Sequence, residues 1–295
     1  MRHHERDSWP PDGPRPPWLK VRLDDWASFR QTEETVELHG LNTVCHSAHC
    51  PNIADCWSRG TATLMLLGNV CTRRCGFCAV QSGVPGAFDP HEPERVANAV
   101  KDMGLRFAVL TSVARDDLAD GGASVFADSI AAIRRTCPGV GVEVLIPDLL
   151  GRDEHLEIIF AAQPDVLNHN IETVRRLQAE VRPSARYERS MYVLRRAAER
   201  GLVAKSGLML GLGETHDEVL ETVRDLRTHG VDMLTVGQYL PPDAEHLPLR
   251  RYATPDEFDE IGAFARDLGF THVESAPLVR SSYHAEQAPV ATRGR

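Results

Sequence analysis

The sequence predicts an α/β fold, a partial (β/α)6 TIM-like barrel with N- and C-terminal extensions. Three observations predict it. Apolar, strand-like runs alternate with amphipathic stretches of helical length, which is the pattern of βαβ units and a parallel sheet. There are about six such repeats, too many for a simple flavodoxin-like sheet and too few for a full eight-fold barrel. No G-x-G-x-x-G follows the first strand, so a dinucleotide-binding fold lacks its phosphate turn.

The strand-like runs are 61–67, 106–112, 141–147, 165–168, 203–210, 232–239 and 271–275. The first helix after them opens at Glu92-Pro93-Glu94 and carries Val96, Ala99, Val100 and Met103 at helical spacing. Further helices are expected at about 122–136, 153–162, 187–200, 215–229 and 255–268. Thr215 with Glu218 three residues on forms a capping-box pattern. Thr254-Pro255 is a cap followed by proline at the first helical position. Gly104, Gly201, Gly230 and Gly269 stand where four helices must end in a left-handed residue. The chain thus divides into a flexible Pro-rich tail (1–17), an N-terminal extension (18–60) with a short helix near 24–30, the barrel (61–275) and a C-terminal extension with a short tail (276–295).

The chain has 295 residues, 42% hydrophobic and 25% charged, ample for a large core. Its net charge of −9 argues against a nucleic-acid partner, because a phosphate backbone selects a basic footprint. The basic pairs Arg73-Arg74, Arg175-Arg176, Arg195-Arg196 and Arg250-Arg251 read as solvated faces. The N-terminus is charged and proline-rich, unlike a signal peptide, and no apolar run reaches the roughly 20 residues of a membrane span. A cytoplasmic location is expected. There thiols stay reduced, so clustered cysteines point to metal or catalysis before disulfides.

Six of the seven cysteines fall in two groups of three. Cys71, Cys75 and Cys78 lie in CTRRCGFC, after the first strand; Cys45, Cys50 and Cys56 lie in CHSAHCPNIADC just upstream. Three thiolates can hold three corners of a metal centre. Structural zinc takes four ligands, commonly from paired knuckles, and no partner pair follows the second trio. A [4Fe–4S] cube takes four cysteines, so three leave one iron open to a ligand. His46 and His49 are either ligands or loop residues. Cys137, before Pro138, reads as a free structural thiol, and Met65, Met103, Met209 and Met233 read as core.

The C-x₃-C-x₂-C loop, with Phe77 before its last cysteine, resembles the radical S-adenosylmethionine superfamily. Together with C-x₄-C-x₅-C upstream and Arg280-Ser281-Ser282-Tyr283 near the end, it is similar to the lipoyl synthase family. Matching blocks cover most of the chain: 16–20 ending in Lys20, 111–122, 141–148, 168–174, 205–215 and 237–240. Ala204, where the family often has threonine, is a small departure. The resemblance implies two [4Fe–4S] clusters and S-adenosylmethionine. Cys71, Cys75 and Cys78 would hold the radical-generating cluster, and Cys45, Cys50, Cys56 and Ser282 the auxiliary one. The implied reaction is insertion of two sulfur atoms at C6 and C8 of a protein-bound octanoyl-lysine, with sulfur from the auxiliary cluster. Implied partners are octanoylated lipoyl carrier domains on 2-oxoacid dehydrogenase E2 subunits or the glycine cleavage H protein, an electron donor such as ferredoxin or flavodoxin, and an iron–sulfur carrier.

Candidate S-adenosylmethionine contacts are Phe77, Thr111, Asn170, Glu172 and Glu214. Candidate substrate or cluster neighbours are Arg115, Asp116, Lys205 and Arg280. For Arg115 and Asp116, turn chemistry is an equal alternative, and for Lys205 a buried ion pair. Arg280 is expected to anchor the C-terminal segment or to bond cluster sulfides.

Overall fold

In the computed structural model the described residues are 16–19, 26–47, 50, 52–58 and 62–287. The tail before residue 16, Lys20, His49 and Thr61 lie outside them.

The N-terminal extension holds α1 (Trp26–Leu38), β1 (Asn42–Thr43), α2 (Val44–Ser47) and α3 (Ile53–Ser58). Next come β2 (Thr63–Leu66), the short ribbon β3 (Val70–Cys71) and β4 (Gln81–Ser82), and α4 (Glu92–Asp102). The repeat then runs β5 (Phe107–Ser112), α5 (Ala123–Thr136), β6 (Gly141–Leu145), α6 (Asp153–Ala161) and β7 (Val166–Asn168). After α7 (Gln178–Val181) and α8 (Tyr187–Glu199) follow β8 (Ala204–Leu210), α9 (His216–Thr228), β9 (Met233–Gln238), α10 (Pro255–Asp267) and β10 (His272–Ser275). All seven expected strands and all six expected helices are present. The helix expected near 24–30 runs further, and α7 and the ribbon carried no periodic signal. Both threonine capping boxes form, at Thr215 with Glu218 and Thr254 with Glu257. The four helix-ending glycines have φ between +60° and +89°.

One sheet has the order β1-β2-β5-β6-β7-β8-β9-β10. From β2 to β10 every pairing is parallel; β1 is antiparallel on one edge. Among the described residues the sheet does not close: β10 ends one edge and β1 the other. Helices cover the outer face, where Leu64, Leu66, Val96, Phe126 and Ile133 form core. The inner face carries alternate residues of each strand, as the period of two requires. Thr63, Met65, Thr111, Leu145, Gly207, Met209 and Thr235 thus face a central cavity.

Deeper in the sheet lies a buried charge pair. Lys205 Nζ donates to both Glu143 carboxylate oxygens at 3.0 and 2.9 Å, and Asn168 Nδ2 donates to Glu143 at 2.8 Å. The two charges are 1% and 0% exposed. Removing one partner leaves a buried charge without compensation. Lys205→Met should therefore cost about 3–5 kcal/mol, read from urea unfolding. Adding Glu143→Gln, which keeps an acceptor for Asn168, should restore more than half of that loss; no restoration would show that Lys205 acts by packing.

Candidate active site

The second trio is carried off β2 by an abrupt change of direction. Leu67 and Gly68 have φ of +67° and +88°, and a non-glycine residue in that region costs about 1–2 kcal/mol. The carboxylate of Glu92, at the start of α4, takes the Leu67 N–H at 2.8 Å and offsets part of that cost. Burial raises the Glu92 carboxyl above its ordinary value, against the hydrogen bonds from Leu67 and Gly68.

The loop is then fixed on three sides. Thr72 N–H donates to Ala114 O at 3.0 Å, Gly76 N–H to Val181 O at 2.9 Å, and Leu247 N–H to Gly76 O at 2.9 Å. A side chain at Gly76 would meet Leu247 at 2.7 Å, so only glycine lets the segments touch. His246 Nε2 reaches Cys78 O at 3.1 Å. Two backbone N–H groups point at Cys71 Sγ, from Arg73 at 3.4 Å and Ala114 at 3.3 Å.

Arg73 is not the solvated residue its sequence context suggests. It is 7% exposed, pairs with Asp116 through Nε and Nη2 at 2.7 Å, and reaches the fully buried Asp148 at 2.7 Å. Burial alone would raise the Asp148 carboxyl, but the adjoining Arg73 charge holds it below the ordinary carboxylate value. The pairing makes Asp116 a loop anchor.

The first trio sits on two short helices. Cys45 lies in α2 and Cys56 in α3, with Cys50 between them donating its N–H to Cys45 O at 3.0 Å. Trp57, 1% exposed, packs beneath, with Phe29 and His46 rings 5.3 and 4.8 Å away. His46 is thus exposed and stacked.

The C-terminal extension crosses from β10 back to the β2 edge. Gln238 N–H bonds Pro277 O at 3.1 Å, Asn52 Nδ2 bonds Leu278 O at 2.6 Å, and Tyr283 OH bonds Asp55 at 3.3 Å. Thr63 Oγ1 donates to Ser282 Oγ at 2.8 Å. Gly237 is required under this crossing: a Cβ there would stand 2.1 Å from Val279 O.

All six cysteines of the two trios, Arg280 and Ser282 line one cavity of about 550 Å³. Phe77, Thr111, Asn170 and Glu172 line it too. Four expected contacts do not. Arg115 is tied to Asp117 at 2.9 Å and to Gly86 O at 3.1 Å. Asp116 is held by Arg73 and Lys205 by Glu143. Glu214 accepts the N–H groups of Gly211 and Leu212 at 2.6 and 2.9 Å, bracing its own turn. In each case a neighbour in the fold already occupies the charged group. Met65 and Met209, expected as core, also line the cavity.

Sequence reasoning missed Arg182 and Ser112 as lining residues, and His169, in the polar run beyond the fourth strand, lines the cavity beside Asn170. Arg182 follows α7, which shows no periodic signal; its Nη1 bonds Asn170 O at 3.0 Å. His169 bonds Ile146 O and Ser190, and burial lowers its pKa to about 4, so it is neutral at pH 7. Glu172 has φ of +65°; burial raises its carboxyl against the opposing effects of Arg182 and Asn170.

The residues fit an iron–sulfur centre beside a polar cofactor. Among the described residues, Asn170 Oδ1 and Ser112 Oγ are buried without a hydrogen-bond partner, unused capacity on the cavity wall. Gly207 lets Asn170 and Thr235 close in: a Cβ there would stand 2.9 Å from Asn170 Oδ1 and 2.5 Å from Thr235 Oγ1. No three His, Cys, Asp or Glu side chains among the described residues converge at the spacing of a single-ion site. A cubane spreads its ligands more widely, over separate irons. Among the described residues no helix is long and apolar enough to cross a membrane.

Burial pushes the Cys45 and Cys75 thiols up to about 11 and Cys78 up to about 12. Without metal these groups are protonated at neutral pH, and loading must expel their protons. In metal-free chain at pH 8 all three should alkylate well over tenfold more slowly than glutathione, because a higher pKa means less thiolate. Their rates should climb toward pH 11, as followed by peptide mass spectrometry; alkylation at the glutathione rate would contradict this.

The family model for the radical SAM superfamily matches residues 65–226. Lipoyl synthase of Rubrobacter xylanophilus is 57% identical over 95% of this chain and 88% of its own length. That of Chlorobaculum tepidum is 55% identical over 93% of this chain and 95% of its own. Among solved structures, Streptococcus suis SuiB bound to S-adenosylmethionine has a TM-score of 0.56 at 14% identity, covering 73% of this chain and 50% of SuiB. Methylornithine synthase PylB has a TM-score of 0.51 at 13% identity, covering 84% of this chain and 77% of PylB. This chain spans about half the length of SuiB, and the two likenesses concern the fold alone. The sequence relatives, nearly full length on both sides, say more: the chain belongs to the radical SAM superfamily and, within it, to the lipoyl synthases.

Proposed function

We propose that this chain converts an octanoyl-lysine on a lipoyl carrier protein into a lipoyl group, inserting sulfur at C6 and C8. The observation that carries this reading is a single cavity lined by both cysteine trios and by Ser282. A site built only to carry electrons has no need of two three-thiolate sets facing one space large enough for an alkyl chain.

In this reading Cys71, Cys75 and Cys78 hold a [4Fe–4S] cluster with one iron left for S-adenosylmethionine, and Cys45, Cys50, Cys56 and Ser282 hold a second. When bound, the first cluster and S-adenosylmethionine supply a 5′-deoxyadenosyl radical able to take hydrogen from an unactivated C–H bond, and the second cluster supplies sulfide. The chain's own task is position and dryness. Asn170, Glu172, Thr111 and Ser112 offer polar atoms for S-adenosylmethionine. Phe77 gives the loop an apolar face. Met65, Leu145 and Met209 give the alkyl chain apolar walls. Ser282 is a harder, more easily protonated ligand than a thiolate, which suits a cluster that is opened and consumed.

The octanoyl group would arrive on 2-oxoacid dehydrogenase E2 subunits or the glycine cleavage H protein. Electrons would come from a donor such as ferredoxin or flavodoxin, and a spent cluster would be rebuilt by an iron–sulfur carrier, all in the cytoplasm.

Anaerobic reconstitution should give about eight irons per chain, as two four-iron clusters. With S-adenosylmethionine, a reductant and an octanoyl-lysine peptide, mass spectrometry should find a product carrying two sulfurs. Iron near four per chain, or 5′-deoxyadenosine without sulfur insertion, would overturn the reading. Cys75→Ala should abolish 5′-deoxyadenosine formation. Ser282→Ala should keep that formation and lose sulfur insertion; equal loss of both would argue against sulfur donation from the first trio.

A further inference from the structure

Thr63 occupies a peculiar place. It opens β2, is 3% exposed and faces the cavity. Its hydroxyl donates to Ser282 Oγ at 2.8 Å, across 219 residues of chain. One residue of the barrel therefore touches the only hydroxyl ligand attributed to the upstream trio. Thr63 sits in the parallel register Thr63–Val109, so its backbone is fixed, and a β-branched side chain in a strand has restricted χ1. The donor is aimed before anything binds.

We propose that Thr63 is a positioning residue that holds Ser282 as a ligand and sets how readily the serine lets go. This rests on the reading of Ser282 as the fourth ligand of the auxiliary cluster. A serine bound to iron is an oxygen anion in a dry site. A hydrogen bond donated to it is charge-assisted and about twice as strong as one between neutral groups. The Thr63 hydroxyl offsets part of that charge and fixes where the oxygen sits. By donating, Thr63 also leaves the other lone pairs of Ser282 Oγ free to face the cavity. The only alternative role for the hydroxyl is to seat the C-terminal segment, which Asn52 and Tyr283 already do from either side.

The test uses the full chain, reconstituted anaerobically, and follows iron release to a ferrous chelator. The auxiliary phase is the one that Cys45→Ala removes. Thr63→Val should speed that phase by about tenfold, the worth of one hydrogen bond to a charged group. Thr63→Ala should do the same, and Thr63→Ser, which keeps the donor, should stay within about twofold of the parent. In a Ser282→Ala background, Thr63→Val should add nothing, because its partner is gone. Release at the parent rate in Thr63→Val and Thr63→Ala, or equal acceleration with and without Ser282, would overturn the proposal. If Ser282→Ala alone leaves iron release unchanged, the ligand reading fails and the proposal with it. If Ser282→Ala speeds release and the Thr63 variants do not, the ligand reading stands and Thr63 has no part in it.

Discussion

A parallel sheet that stops short of closing leaves two edges and a slot between them. In this fold the slot is where the function lies. Unpaired strand edges normally have to be covered, since their N–H and C=O groups would otherwise seek partners. Here the cover comes from both flanks of the barrel. The N-terminal extension adds β1 and the two short helices with the first trio. The C-terminal segment runs from β10 across to the β2 edge, bonded to Asn52, Thr63 and Asp55. An eight-stranded closed barrel fills its interior with side chains. The open one keeps an interior cavity, and the segments that seal its side bring Cys45, Cys50, Cys56 and Ser282 to its wall.

The loop after β2 is braced against a different demand. A loop that turns three cysteines toward one dry cavity cannot be held by packing alone. Buried ion pairs and N–H donors fix it: Arg73 with Asp116 and Asp148, Arg182 behind Asn170, and the N–H groups aimed at Cys71. Asp148 is also bonded to Arg189 at 3.1 Å, so the Arg73 anchor reaches α8. Breaking one ion pair here would expose the other charges to a low-dielectric surrounding, which makes the network rigid as a unit.

The sequence made periodic things visible. Strands and helices of the repeat, the capping threonines and the helix-ending glycines follow from local rules, and each stands where those rules put it. The cysteine trios were legible because spacing carries chemistry. What stayed hidden depended on distant partners. Arg73 looked like one of several surface arginine pairs, because nothing local reveals two aspartates 43 and 75 residues away. Glu214 looked like a ligand contact past a strand end, and for Asp116 a site role and turn chemistry stood even; the turn amides and the arginine that occupy them are set by loop conformation. Arg182 entered the cavity wall through the irregular stretch after β7, where φ of Glu172 is positive and no period exists.

The crossing of the C-terminal segment also fixes an order of events in the cell. Thr63 and Ser282 are 219 residues apart, and Tyr283 is 228 from Asp55. At roughly 5–20 residues per second, the ribosome needs on the order of ten to forty seconds to get from one to the other. For that interval the upstream thiols exist with no wall in front of them, and every β-strand of the barrel is translated before the wall arrives. The topology therefore leaves this wall of the cavity to the last segment of the fold to be made, and the upstream cysteines must wait for it in a chain whose barrel strands are already complete.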